Sequence, residues 1–97
     1  MNLTIEEALQ QGEAAHMEGK LQEAERIYRT ILEAQPTHPY ANYNLGILAA
    51  SRNKSQIALP FFEIALVGSP EKEEFWLSYI KALISIDEIE SALRSIK

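Results

Sequence analysis

The chain has no cysteine, which excludes disulfides, thiolate metal sites and cysteine nucleophiles. Basic charge is also scarce: nine Lys and Arg stand against fourteen Asp and Glu, for a net charge of −5. Binding to a phosphate backbone rests on clustered cations, so a nucleic-acid partner is not expected. No apolar run approaches the length of a membrane span, and the opening MNLTIEEALQQ is acidic rather than basic-then-apolar, so no signal segment and no membrane association are expected. A soluble, cytoplasmic protein is the expectation. The four glycines form no glycine-rich phosphate loop, because Gly12 and Gly46 fall inside helical segments.

What the chain does have is a period. Ala24, Ala58 and Ala92 are 34 residues apart, and residues 5–38 laid on 39–72 share seven identities: Gly12/Gly46, Ala15/Ala49, Lys20/Lys54, Gln22/Gln56, Ala24/Ala58, Leu32/Leu66 and Pro36/Pro70. Unrelated segments of ordinary composition would share roughly two. Tyr28 and Phe62 keep an aromatic at the same place. The window 73–97 keeps only Ser85, Ala92 and Leu93 as identities with the second, and follows it by pattern. A fixed period of this length predicts stacked supersecondary units within one domain, 1–97, each unit contacting its neighbour.

Six helices follow from the pattern. Thr4 and Glu7 form a capping box for the first, which runs to about Glu18, with Gly19 as the turn. The second starts near Leu21 and carries Ala24, Ile27, Tyr28, Ile31 and Leu32 on one face. Pro36 and Pro39 end it and open a third helix over about Tyr40–Ser51. A fourth is expected from Lys54 or Ser55 to about Val67, with a local bend at Pro60, and a fifth from about Glu71 to Ile86. Asp87 and Glu90 read as a capping box for a sixth, carrying Ile89, Ala92, Leu93 and Ile96. Small residues at Gly12, Gly46, Ala24 and Ala58 allow close approach of paired helices, and large neighbours fill the remaining space.

This pattern resembles the tetratricopeptide repeat, a 34-residue helix–turn–helix unit. Residues 5–38 match with Gly12, Ala24, Tyr28 and Pro36; residues 39–72 match with Leu45, Gly46, Ala58, Phe62, Ala65 and Pro70. Residues 73–97 match with Trp76 and Ala92 but carry Ile80 where glycine is usual. The stretch EAERIYRTILEAQPTHPYANYNLGILA is similar to N-terminal repeat arrays of bacterial proteins related to O-linked N-acetylglucosamine transferases. The resemblance implies an all-α, right-handed solenoid of about three helix-turn-helix pairs.

No catalytic set is evident. His16 and His38 lack partners at metal-ligand spacing and fit surface or capping roles. Glu6-Glu7 and Glu71-Glu73-Glu74 fall at helix N-termini, where the macrodipole favours negative charge. No cofactor, metal or enzymatic activity is expected. The resemblance implies instead a concave groove lined by the first helices of successive pairs, binding a peptide or protein segment. Its candidate residues are Tyr40, Tyr43, Asn44, Ile47, Leu77 and Lys81. Asn44 stands where related proteins hydrogen-bond ligand backbone. Members that clamp a C-terminal carboxylate do so with lysine, arginine and asparagine at places that here hold Leu9, Glu13, Asn44, Glu74 and Ser78; only the asparagine survives and three cations are missing, so that ligand is rejected. Two alternatives stay open: a self-associating scaffold, with a homodimer formed through the C-terminal helix pair, and the N-terminal array of a larger glycosyltransferase-like enzyme.

Overall fold

The computed structural model describes residues 3–95, and these form five helices: α1 (Ile5–Met17), α2 (Leu21–Ala34), α3 (Pro39–Ser51), α4 (Ser55–Gly68) and α5 (Glu73–Arg94). No described helix is long and apolar enough to cross a membrane.

Local chemistry accounts for the first four. The Thr4 hydroxyl accepts from the Glu7 amide at 3.0 Å while the Glu7 carboxylate accepts from the Thr4 amide at 2.9 Å, the reciprocal box the spacing predicts. At α3, Pro39 occupies the first turn and the His38 ring nitrogen accepts from the Ala41 amide at 3.1 Å. Asn42, fully buried, donates to the carbonyls of Pro36 and His38 at 3.1 and 2.9 Å and fastens the α2–α3 connection to the helix it opens. Gly19 and Asn53, 34 residues apart, both take left-handed backbone angles (φ 80° and 60°) and turn each pair back on itself. Pro60 lies inside α4 and, lacking an amide, cannot make the usual helical bond to the Gln56 carbonyl.

Each pair closes over a glycine. A Cβ on Gly12 would lie 2.6 Å from the Tyr28 ring, and one on Gly46 would lie 2.5 Å from the Phe62 ring. Both aromatics are fully buried, as are Ala24 and Ala58 beside them. Between pairs, α2 and α4 pack on α3 and α5, while α1 touches α3 and α3 touches α5. Among the described residues no helix contacts one more than two places along the chain, and the molecule is drawn out to 56 × 28 × 20 Å. Glu25 adds a polar tie, accepting from Arg29 on its own helix and from Arg52 at the end of α3, both at 3.0 Å. Hydrogen bonds from Arg52 and Arg29 hold its carboxyl below the usual range.

The third unit departs from expectation. Asp87 does not cap a sixth helix: residues 73–94 form one continuous helix, so the described residues hold two helix pairs and one long helix rather than three pairs. Ile96 and Lys97, expected in the sixth helix, lie outside the described residues. The cause is local. Asp87 falls 34 residues after Asn53, where the first two units turn through left-handed residues, but no glycine or proline interrupts 71–95. An apolar stripe, Ala82, Ile86, Ile89 and Leu93, meanwhile continues at four- and three-residue steps straight through the expected break. Because 87–94 stays in line, it does not fold back over Trp76, Ile80 and Leu83, which remain exposed. These occupy the register of Ala8/Asn42, Gly12/Gly46 and Ala15/Ala49, the face that α2 and α4 cover in the first two units.

Helix propensity alone favours Gly46→Ala by about 1 kcal/mol. The fully buried Phe62 ring leaves no room, so the substitution is expected to destabilise instead, and Ala58→Leu to cost about 1–3 kcal/mol by overpacking. A thermal melt reads both, at roughly 4–8 °C per kcal/mol for a domain of this size. A Gly46→Ala protein melting above the parent contradicts the ring-over-glycine contact.

Candidate functional site

Helices α1, α3 and α5 stand in sequence on one side, as the contacts of α3 with both neighbours require. Between α3 and α5 lies a hollow of about 290 Å³ lined by Ile47, Ala50, Ser78, Lys81, Ala82 and Ser85, with Ser55 and Phe62 at its floor. Ile47, Ala50 and Ala82 make its wall apolar, and Ser78, Lys81 and Ser85 place two hydroxyls and one ammonium on successive turns of α5. Lys81 is exposed and makes no ion pair among the described residues. Such a surface can receive an extended segment through apolar contact and a few hydrogen bonds.

The six residues expected to line the groove divide in two. Ile47 and Lys81 border the hollow, and Leu77, half exposed, precedes Lys81 by about one turn. Tyr40, Tyr43 and Asn44 are instead engaged within the fold. Tyr43 stacks on Phe75 with centroids 4.4 Å apart, tilts against Phe62 at 5.8 Å, and its hydroxyl shares a 3.1 Å hydrogen bond with Ser78 Oγ. That ring and hydroxyl join α3 to α5. Tyr40 packs edge-on against Phe75 at 5.3 Å, with the Lys72 ammonium 5.5 Å from its ring centroid. Asn44 is buried and donates its amide to Glu13 Oε2 at 3.1 Å, joining α3 to α1.

No family model and no curated protein matches this chain.

Glu13 figures in the sequence only as a carboxylate that would repel an anionic ligand; its pairing with Asn44 spans 31 positions with no signal in the local pattern. Ser78 and Ser85 share a face with Lys81 at three- and four-residue steps, a spacing legible in the sequence. Trp76 is held from below: its indole N–H donates to the Pro70 carbonyl at 2.8 Å, which fixes the ring at the entry to α5. Tyr79 donates to Glu63 Oε2 at 3.1 Å and ties α5 to α4.

Next to Glu13 lies an uncompensated group. The Tyr28 hydroxyl is buried and has no hydrogen-bond partner among the described residues. Burial, with the Glu13 carboxylate adding to it, pushes this phenol up to about 12. The unfolded chain releases the proton near 10 and the folded chain only near 12, so the folded state binds more protons between them. This contribution is complete below pH 10 and is lost as pH rises toward 12. Tyr28→Phe removes the orphaned hydroxyl and leaves the ring, as at Phe62. It is expected to raise stability by about 1 kcal/mol at neutral pH and to lose less than the parent on alkaline titration. Thermal melts from neutral to alkaline pH measure both; a variant less stable than the parent at neutral pH contradicts the buried, unpaired hydroxyl.

Proposed function

We propose that this chain is a non-catalytic protein-interaction module, a tetratricopeptide-like solenoid that binds a peptide or protein segment in the hollow between α3 and α5. The observation that carries this reading is the joining of apolar wall to free polar groups on one side of the stack: Ile47, Ala50 and Ala82 beside Ser85 and the free Lys81. The 34-residue register, the two glycine-closed pairs and the next-neighbour contacts all fit the repeat array that the sequence resembles. The ligand recognised is an extended segment presenting small apolar side chains and backbone carbonyls. Tyr43 and Asn44 act here as positioning residues: they hold α5 and α1 against α3 and so set the width of the groove.

A peptide library displayed on phage and selected against the immobilised chain tests this reading. Binders are expected to lose about tenfold in affinity, roughly 1.4 kcal/mol, when Leu77→Ser and Lys81→Ala are combined, two exposed changes that leave the core intact. Affinity is expected to fall only modestly with added salt, because one exposed cation is a small part of the contact. Selected peptides indifferent to both substitutions, or released wholly by salt, overturn the groove assignment.

A further inference from the structure

The far end of α5 makes a second surface, independent of the groove. Past Ile86 the helix runs beyond the start of α4, and a hollow of about 560 Å³ opens between them, walled by Lys54 and Ile57 on one side and Ile86, Ile89, Glu90 and Leu93 on the other. Ile57, Ile89 and Leu93 are 54%, 52% and 64% exposed. They do not form a scattered set. Ile89 and Leu93 continue the stripe that begins at Phe75 and Ala82, whose first part is buried under α4. The helix therefore carries one apolar seam, half covered and half open.

We propose that the open half is covered by the same segment of a second copy, the two α5 helices crossing antiparallel about a two-fold axis beside Ser91. The argument is self-complementarity of shape and charge. In that register Ile89 lies opposite the second copy's Leu93, and Leu93 opposite its Ile89. Glu90 and Arg94 share one flank of the seam, and helices paired antiparallel about a two-fold axis bring like flanks together. Glu90 of each copy therefore meets Arg94 of the other, giving two reciprocal ion pairs. Arg94 is available for this: among the described residues it forms no ion pair and bonds only to Ser91 Oγ, at 3.3 Å. The net charge of −5 opposes the approach of two copies in general, so a local match of opposite charges is what selects this face. Two-fold pairing closes the seam and leaves no growing edge.

Sedimentation of the chain over a wide range of concentrations, with circular dichroism to verify equal helicity, tests the contact. The parent is expected to pass from monomer to dimer as concentration rises, and Leu93→Glu to raise the dissociation constant at least tenfold. The charge variants separate this register from any other use of the patch. Glu90→Arg and Arg94→Glu, each alone, face like charge across the axis and are expected to dimerise more weakly than the parent. Mixed in equal amounts, the two variant chains have opposite charges at both contacts and are expected to recover the parent's dimer mass. A parent that stays monomeric throughout overturns the proposal. So does a dimer unaffected by Leu93→Glu, or a mixture that associates no better than its components.

Discussion

A ring lying where a helix has no side chain is the contact on which this architecture depends. Tyr28 over Gly12 and Phe62 over Gly46 bring two helices closer than any pair of side chains would permit. That closeness buries Ala24 and Ala58 completely and makes each pair a unit with two faces left for its neighbours. Interiors are packed at crystal-like density, so a contact this tight admits few substitutes. It also explains why the period is carried by small residues and one aromatic, rather than by any group with chemistry.

The third unit shows the same rule from the opposite side. Ile80 and Leu83 stand in the register of Gly46 and Ala49, and bulky side chains there remove the slot into which a returning helix would lay an aromatic. With neither the slot nor a left-handed residue at position 87, the chain stays helical to Arg94. Two apolar surfaces are left open by this one change: the stripe Trp76, Ile80 and Leu83, and the seam at Ile89 and Leu93. The second of these is the surface that the proposed pairing of two copies would cover.

Polar groups do the joining between units. Asn44 with Glu13 ties α3 to α1, Tyr43 with Ser78 ties α5 to α3, and Arg52 with Glu25 ties the end of α3 to α2. Each spans many residues, and two of the three lie on the side proposed to receive a ligand. The candidate groove is thus held together in part by Tyr43 and Asn44, which the repeat resemblance implies as ligand contacts. Their satisfaction within the fold leaves Lys81, Ser85 and the apolar wall as the surface with free capacity.

The sequence by itself determined the helical class, four of the five helices to within a residue or two, the capping of α1 and α3, and the glycine–aromatic register. These are properties of spacing and of single residues: a 34-residue period, a threonine three places before a glutamate, a proline at a first turn. Tertiary structure alone decided where α5 ends and which polar groups are free. Whether Asp87 starts a new helix or continues an old one depends on a balance between a short-range cap and an apolar seam bound partly by α4, and no local pattern weighs the two. Whether Asn44 faces a ligand or a carboxylate on α1 depends on how α1 is set against α3, which the packing of α2 on both helices decides and no local spacing records.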